Sequence, residues 1–359
     1  MNRFKRIAVK IGSNVLTRKD GSLDITRMSA LTDQVATLRN AGIDIVLISS
    51  GAVASGRIEV KTSKKLDSVS ARQLFSAVGQ AKLINRYYEL FREYGITCGQ
   101  VLTTKESFGT RQHYLNQKHC MEVMLENGVI PIVNENDTIS VTELMFTDND
   151  ELSGLIATMM GMDALVILSN VDGIYNGDPK DPSSHVITEI KNGKDVSKYV
   201  QSGKSEFGRG GMLTKCNIAC KVAGEGVSVI VANGKKDNIL TDIILGENNP
   251  VFTHFLPSEK PASNIKKWIA HSESFAKGEV HINAGAKEAM LMPQATSLLF
   301  VGIEQIIGDF EKDDIVKIIT ADGEQIGVGR SAFDSEKARK LIGAKETKPF
   351  IHYDYLYID

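Results

Sequence analysis

Six short runs of apolar, mostly β-branched residues recur along the first two thirds of the chain. They cover residues 6–11, 44–49, 96–104, 129–134, 164–169 and 227–232. Because these runs are apolar on both faces, each is typical of a strand in a parallel sheet that is covered on both sides. Segments with helical periodicity separate several of them. The alternation predicts an α/β fold, a three-layer αβα sandwich around a mostly parallel central sheet.

The clearest helical pattern lies between the first two runs, where apolar residues recur at three- and four-residue steps. These residues are Ile25, Met28, Leu31, Val35 and Leu38. Asp24 stands directly before them, where its side chain would cap the helix. The segments 151–161 and 216–226 also have helical patterns, so we expect helices there.

The pattern changes near Asn248. The stretch 247–263 contains three prolines and no clear periodicity, as is typical of a linker. Beyond it, short strand-like segments are separated by Gly, Asp and Asn turns, which predicts a small, mainly β domain. We therefore expect a first domain over residues 1–250, a linker over 251–273 and a second domain over 274–359.

Charge and cysteine content narrow the class of protein. The formal net charge is −2 over 359 residues, so nothing calls for nucleic acid or an anionic membrane as a main partner. No apolar run is long enough to cross a bilayer, and the N-terminus lacks the apolar core of a signal peptide, which predicts a cytoplasmic protein. The four cysteines form no CxxC pair and have no histidine at zinc-ligand spacing, so we expect neither a zinc site nor a disulfide framework.

Small and polar residues follow several of the predicted strands. Ligands of open α/β sheets bind at the carboxyl ends of the strands, so these residues are candidates for a site. Lys10 ends the first strand beside Gly12, where a cation and backbone N–H groups can meet an anion; a solvated lysine beside a turn is the alternative. Residues 49–56 are all small and let backbone N–H groups approach a ligand, although a tight turn without a ligand has the same composition.

Carboxylates and carboxamides gather in two further segments. Residues 134–138 follow the fourth strand, and residues 146–152 precede a predicted helix. Such groups suit an amino group, a hydroxyl group or hydrated Mg²⁺. Helix capping by Asp148 or Asp150 is the alternative, and it explains one aspartate better than it explains the run Asp148, Asn149, Asp150.

The segment FGRGGMLTK, residues 207–215, resembles a P-loop but places its lysine after the threonine instead of before it. It precedes a helical pattern, so Thr214 and Lys215 fall at or near a helix N-terminus. A glycine-rich loop that enters a helix is an anion site, and Lys215 adds a full positive charge there. A lysine in this position opposes the helix dipole, and local rules of this kind tend to be broken at functional sites.

Six motifs, taken in order, resemble those of the amino acid kinase family. They are VKIGSNVL (9–16), ISSGAVASG (48–56), VNENDTIS (133–140), FTDNDELSGLIA (146–157), LSNVDGIYNGDP (168–179) and GRGGMLTK (208–215). The resemblance covers nearly the whole chain, because the segments after residue 274 look like a PUA domain, a small β module. The motifs are most similar to those of family members that phosphorylate glutamate.

This resemblance implies ATP-dependent phosphorylation of the glutamate side-chain carboxylate to γ-glutamyl 5-phosphate, the first step of proline biosynthesis, with ATP and Mg²⁺ as cofactors. It also implies feedback inhibition by proline and a homo-oligomer, either a dimer or a tetramer. The nucleophile would be the substrate's own carboxylate. With a pKa near ~4.3 this group is ionised at neutral pH, so no general base is needed.

The resemblance also implies a role for each matching position. Lys10 and Lys215 would stabilise the transferring phosphoryl group, and Asp148 and Asp150 would help to order the lysines and Mg²⁺. The Mg²⁺ would be carried by ATP, with the two aspartates as candidates for its outer shell and not as direct ligands. The residues expected to bind glutamate are Lys10, Ser50, Gly51, Ala52, Asp137 and Asn149. Those expected to line the ATP site are Lys10, Ser169, Asn170, Arg209, Gly210, Gly211, Met212, Leu213, Thr214 and Lys215. Asn170 and Arg209 depart from the residues common in the family.

Two alternatives stay open at this point. The ATP-site motifs are shared by aspartate, acetylglutamate, carbamate and uridylate kinases, although residues 133–140 and the PUA-like segments favour glutamate as acceptor. The alternative from another class is a PUA-containing RNA-binding protein. The lysines after residue 274 have as many acidic neighbours and form no basic stripe interleaved with aromatic residues, which argues against RNA as the main ligand.

Overall fold

Two sheets organise the chain in the computed structural model. The structure describes residues 4–140, 146, 148–179, 181–191, 212–259, 269, 275–292, 296–345 and 348–358. The chain divides into one unit of residues 1–105 and 116–261 and a second unit of residues 106–115 and 262–359. Each unit has its own sheet and its own hydrophobic core.

The first unit contains an eight-stranded sheet with the strand order β3-β4-β2-β1-β5-β7-β8-β6. The strands are β1 (Arg6–Ile11), β2 (Asp44–Ser49), β3 (Cys98–Thr103), β4 (Ile130–Glu135), β5 (Ala164–Ser169), β6 (Glu189–Ile190), β7 (Ser228–Asn233) and β8 (Thr253–Phe255). Every neighbouring pair is parallel except β7 and β8, which are antiparallel. The prediction of a mostly parallel sheet is therefore confirmed.

Nine helices of the described residues precede the C-terminal sheet. They are α1 (Ser13–Leu16), α2 (Ile25–Asn40), α3 (Ala52–Glu59), α4 (Ser68–Arg92), α5 (Glu106–Gly109), α6 (Arg111–Glu126), α7 (Asn149–Met159), α8 (Met212–Gly224) and α9 (Ile239–Leu245). Asp24 caps α2 as predicted, since its side chain accepts a hydrogen bond from the backbone N–H of Arg27 at 3.2 Å.

The central strands are covered on both faces, which explains their continuous apolar runs. On one face, residues such as Val9 and Val166 join a core with Met28 and Leu31 of α2. On the other face, α7 packs against β1 and β5. Lys10 is buried in β1 among apolar neighbours along the strand, and its side chain reaches α7. The predicted three-layer arrangement thus brings α7 to the end of β1.

Helices α3 and α4 cross at two glycines. A Cβ atom built on Gly56 would lie 1.8 Å from the carbonyl oxygen of Phe75, and one built on Gly79 would lie 1.8 Å from the carbonyl oxygen of Ala52. Any larger residue at either position would force the helices apart, because the opposing atoms belong to the backbone. The two helix backbones therefore touch directly, and α3 begins immediately after residues 50–51, which follow β2.

The second unit contains a five-stranded sheet with the order β10-β9-β11-β12-β13. Its elements are β9 (Gly278–Ile282), α10 (Ala284–Leu291), β10 (Ile303–Ile307), β11 (Ile315–Thr320), β12 (Gln325–Arg330), α11 (Ser335–Lys340) and β13 (Leu356–Ile358). The pair β9 and β11 is parallel, and the other pairs are antiparallel. Phe300 and Phe350 are fully buried in its core. This confirms the predicted small, mainly β fold.

Candidate active site

Four parallel strands, β1, β2, β4 and β5, bring their carboxyl ends to one edge of the first sheet. The residues that follow or end these strands are the ones singled out from the sequence. Since the strands are in register, polar side chains from distant parts of the chain become neighbours at this edge. The site is built from this edge together with the first turns of α7 and α8.

Asp150 bridges two lysines. Its Oδ1 lies 2.6 Å from Nζ of Lys10, and its Oδ2 lies 2.7 Å from Nζ of Lys215. The Asp150 side chain is only 1% exposed. We call Lys10, Asp150 and Lys215 the lysine cluster. The cluster joins the end of β1 to the first turns of α7 and α8, although its members are far apart in sequence.

The two lysines control the ionisation of Asp150. Burial alone would raise the pKa of its carboxyl group, but the charges and hydrogen bonds of Lys10 and Lys215 outweigh burial and lower it. Asp150 is therefore a carboxylate that holds two ammonium groups in place. Lys215 lies in the first turn of α8, where the helix dipole opposes a cation, and Asp150 compensates for this position.

Asp148 caps α7. Its Oδ1 accepts hydrogen bonds from the backbone N–H groups of Asp150 at 2.9 Å and Glu151 at 3.0 Å. Its Oδ2 is buried and has no hydrogen-bond partner among the described residues. Burial and the neighbouring charge of Asp150 raise the pKa of this carboxyl group. The capping interpretation thus holds for Asp148, whereas Asp150 has the separate contacts with the lysines.

Asn149 ties two strand ends together. Its Nδ2 donates to the carbonyl oxygen of Ser49 at 3.1 Å, to Oγ of Ser50 at 2.9 Å and to Oδ1 of Asn134 at 3.1 Å. Ser49 ends β2, and Asn134 lies near the end of β4. The run Asp148, Asn149, Asp150 therefore has three distinct tasks: a helix cap, a link between loops and an anchor for two lysines.

The loop after β2 makes a tight turn at Gly51, whose φ of 101° lies in the left-handed region that favours glycine. Ala52 follows as the first residue of α3 and is buried. Small side chains at these positions leave room for a ligand to approach the backbone N–H groups at the start of the helix. Ser50, Gly51 and Ala52 are thus held together at the edge of the site.

The structure contains a second charged cluster, which the sequence motifs do not predict. Arg72 of α4 donates from Nη2 to Oε2 of Glu135 at 2.9 Å and from Nε to Oδ1 of Asp137 at 2.6 Å, with a further Nη2 contact to the same Oδ1. We call these three residues the Arg72 cluster. Burial raises the pKa values of both carboxyl groups, and Asp137 adds to the effect on Glu135. Asp137, expected from the sequence, is therefore held by a residue that was not.

Apart from Lys10, the expected ATP-site residues that the structure describes lie at two places, the end of β5 and the start of α8. Ser169 ends β5 and is buried, its carbonyl oxygen accepts from the backbone N–H of Gly234 at 2.8 Å, and Asn170 beside it is exposed. Met212, Leu213 and Thr214 begin α8 next to Lys215. Three further expected residues, Arg209, Gly210 and Gly211, lie outside the described residues.

Burial raises the thiol pKa values of three of the four described cysteines, Cys98, Cys216 and Cys220. Burial raises the pKa of the Cys98 thiol to about 11, so it stays protonated at neutral pH. Within the described part of the chain, no group of three His, Cys, Asp or Glu residues is arranged to hold a metal ion. The same residues include no helix with the length and apolar character of a membrane span.

Comparison with known proteins agrees with the geometry. The model of the amino acid kinase family matches residues 5–233, and that of the PUA domain matches residues 278–350. The chain is 67% identical over 356 residues to the glutamate 5-kinase of Bacteroides thetaiotaomicron, with 99% of each chain covered. It is 49% identical over 357 residues to the glutamate 5-kinase of Chlorobaculum tepidum, with 99% of this chain and 98% of that one covered. A solved structure of an isopentenyl phosphate kinase superposes with a TM-score of 0.51, and the match covers 70% of this chain and 99% of that one. At 17% sequence identity, this similarity supports the fold alone.

Proposed function

The chain belongs to the amino acid kinase family, among its glutamate 5-kinases, and from this premise we propose that it transfers the γ-phosphoryl group of ATP to the side-chain carboxylate of glutamate. The products would be γ-glutamyl 5-phosphate and ADP, and the step would begin proline biosynthesis. The observation that carries this proposal is the buried Asp150 carboxylate between Lys10 Nζ and Lys215 Nζ. Two preorganised cations are what an in-line phosphoryl transfer between anions requires.

The chemistry needs charge stabilisation more than proton transfer. The glutamate side chain, with a pKa near ~4.3, is already a carboxylate at neutral pH and needs no general base. The barrier arises because this anion must approach the anionic γ-phosphoryl group. Lys10 and Lys215 would offset this repulsion, and Asp150 would keep both ammonium groups in position before the substrates arrive.

Glutamate would bind at the loops after β2 and β4. Asp137 suits the α-ammonium group, and Ser50 and Asn149 offer hydrogen-bonding groups to the substrate. Gly51 and Ala52 would supply backbone N–H groups at the start of α3. The hydrogen bonds from Asn149 to Ser49, Ser50 and Asn134 support this assignment, because they place the two loops side by side.

ATP would bind along the ends of β5 and α8, with Ser169, Asn170 and residues 209–215 lining its site. Mg²⁺ would be held mainly by the ATP phosphates, whose negative charge it neutralises when bound. The free, buried Oδ2 of Asp148 suits a water molecule of the magnesium shell, because carboxylate oxygens are hard ligands. Asp150 suits this task less well, since both of its oxygens already contact lysines.

We extend the proposal to the remaining expectations from the family. The enzyme would act in the cytoplasm as a homodimer or homotetramer, and proline would inhibit it through a site that overlaps the glutamate site. Residues 1–250 would form the catalytic domain, 251–273 the linker and 274–359 the PUA-like domain. Salt-dependent binding of RNA would identify RNA as a further ligand of the PUA-like domain.

A coupled assay of ADP release tests the proposed reaction. The enzyme is supplied with ATP, Mg²⁺ and one acid at a time: glutamate, aspartate, N-acetylglutamate or carbamate. We expect glutamate to stimulate ADP formation far more than the others, and proline to suppress it competitively. Stimulation by a different acid in preference to glutamate would replace this proposal with another family activity.

A further inference from the structure

The Arg72 cluster is organised by helix α4. Besides the contacts of Arg72, Gln73 donates from Nε2 to the carbonyl oxygen of Thr138 at 2.8 Å, and Gln80 accepts at Oε1 from Asn134 Nδ2 at 2.8 Å. One helix thus holds the segment 134–138 at several points. Because Arg72 uses two nitrogens on Asp137, it restricts the orientation of that carboxylate as well as its position.

The two carboxylates of this cluster are held differently. Glu135 has contacts from the protein on both oxygens: Oε1 accepts from Ser140 Oγ and from the backbone N–H of Phe146, both at 2.9 Å, and Oε2 accepts from Arg72. In Asp137 the contacts with Arg72 all fall on Oδ1, and Oδ2 has no hydrogen bond to the described residues. Asp137 therefore keeps one oxygen available, whereas Glu135 does not.

The charges of the cluster do not cancel. With both carboxyl groups ionised, these three side chains sum to a charge of −1, and they are only 5–14% exposed. An uncompensated charge in such a site is costly until a ligand of opposite charge arrives. An α-ammonium group supplies one positive charge and suits the available oxygen of Asp137.

We propose that Arg72 is a positioning residue that directs Asp137 toward the substrate's α-ammonium group, and that the Arg72 cluster selects acids with a free α-amino group over their N-acylated forms. This inference rests on the proposed function, since it assumes that glutamate binds at Asp137. N-acylation removes the positive charge of the substrate's α-amino group. The negative charge of the cluster would then have no counter-charge, and the N-acylated acid would bind less well. Glu135 acts as the second anchor that fixes the guanidinium of Arg72.

Steady-state kinetics of charge-altered variants of the full chain test this proposal. R72Q removes the contacts that orient Asp137, so we expect KM for glutamate to rise about tenfold or more, on the scale of one charged hydrogen bond, with KM for ATP unchanged. In the double variant R72Q/E135Q, Asp137 no longer lies beside a second carboxylate that favours its protonation, so KM for glutamate should fall below that of R72Q. R72K keeps the charge but not the forked geometry and should lie between the wild type and R72Q.

A variant on the same helix serves as the matched control. Arg86 pairs with Glu89 on the exposed side of α4, and R86Q should leave both KM values at the wild-type level. The selectivity is tested with N-acetylglutamate. In E135Q the cluster is neutral, so the ratio of kcat/KM for glutamate to that for N-acetylglutamate should fall.

Each part can be overturned separately. An unchanged KM for glutamate in R72Q, or equal increases for glutamate and ATP together with a lower Tm, would make Arg72 merely structural. If R72Q does not fold, a wild-type KM for glutamate in R72K would overturn the positioning role. An unchanged ratio in E135Q would overturn the selectivity. Wild-type enzyme without glutamate-dependent ADP formation would instead contradict the proposed function.

Discussion

The lysine cluster and the Arg72 cluster are charge inversions of each other at the same sheet edge. In the first, two lysines share one buried aspartate, which leaves +1; in the second, one arginine is shared by two carboxylates, which leaves −1. Among the three side chains of each cluster, one charge is therefore unmatched. In the proposed reaction, a different reactant group carries the opposite charge in each case. A phosphoryl group would complete the first cluster, and an ammonium group would complete the second.

The comparison also shows what decides the ionisation of a buried carboxyl group. Burial raises the pKa in both clusters, but the final directions are opposite. The pKa of Asp150 is lowered because two cations contact it, whereas burial raises the pKa values of Glu135 and Asp137 by more than the single Arg72 lowers them. Asp150 is the least exposed of the three residues, so its contacts with two cations, which outweigh burial, account for its opposite direction.

The largest effect should come from removing a cation of the lysine cluster. K10A and K215A should each lower kcat on the order of 10²-fold or more, because a preorganised charge at the transferring phosphoryl group is lost. Far-UV circular dichroism should show that the fold is kept. The measurement is ADP release at saturating glutamate and ATP.

K82A is the matched control, since Lys82 pairs with exposed Glu59 away from the cluster. Its turnover should equal that of the wild type. Near-normal turnover in K10A or K215A would show that the substituted lysine does not stabilise the transferring phosphoryl group.

A smaller but still large effect is expected from D150N, which keeps the shape of Asp150 and removes its charge. Lys10 and Lys215 would then repel each other without a counter-charge, so both turnover and stability should fall. Breaking a buried ion pair costs about 3 kcal/mol or more, which thermal unfolding would detect as a lower Tm. A variant with the Tm and kcat of the wild type would show that the lysines do not need this anchor.

The pH dependence of glutamate binding separates the two clusters. The pKa of Asp137 is raised, so this group takes up a proton at a higher pH than a free aspartate, and protonation removes the charge that would bind the ammonium group. KM for glutamate should therefore rise as the pH is lowered below neutral. Asp150, whose pKa is lowered, should not contribute to this rise.

The variant R72Q sharpens this test. Among the described residues, the Arg72 charge opposes the increase in the Asp137 pKa, and Glu135 is the second carboxylate in contact with Arg72. Without the Arg72 charge, the rise in KM should begin at a higher pH than in the wild type. Identical profiles for R72Q and the wild type would show that a different group controls the acid limb.

The smallest effect on glutamate binding is expected at Ser50, which accepts a hydrogen bond from Asn149, the residue before Asp150. S50A removes one of three hydrogen bonds of Asn149, so KM for glutamate should rise by about two- to tenfold, as expected for one neutral hydrogen bond. T37A removes a comparable hydroxyl bond on the exposed side of α2 and should have no effect on KM. Equal KM values in S50A and the wild type would mean that Ser50 does not help to bind glutamate.

The parts of the fold that the sequence predicts are those whose pattern is local. The strands at 6–11, 44–49 and 164–169 were predicted to the residue, because continuous apolar runs mark strands covered on both faces. Strands β6 and β8, with two and three residues, are too short to show a period. Helix α4 was missed because its buried face includes Ser76, Gly79 and Gln80, which dilute the apolar periodicity.

The candidate site follows the same rule. Lys10, Asp150 and Lys215 stand out locally because each lies at the end of a strand or in the first turn of a helix, and the structure brings them together. Arg72 stands out in no motif, since its partners lie 63 and 65 residues away and only the fold makes them neighbours. The one local signal was the polar spacing of Arg72, Ser76 and Gln80 along one face of a long helix.

The glycine crossing of α3 and α4 has a consequence for how the site moves. Because the two backbones touch at Gly56 and Gly79, neither helix can slide without the other. Helix α3 starts at the loop that offers Ser50 and Gly51, and α4 carries Arg72. Both sides of the proposed glutamate site therefore belong to one rigid body, and the amides of the two helices should exchange with deuterium as a single cooperative unit.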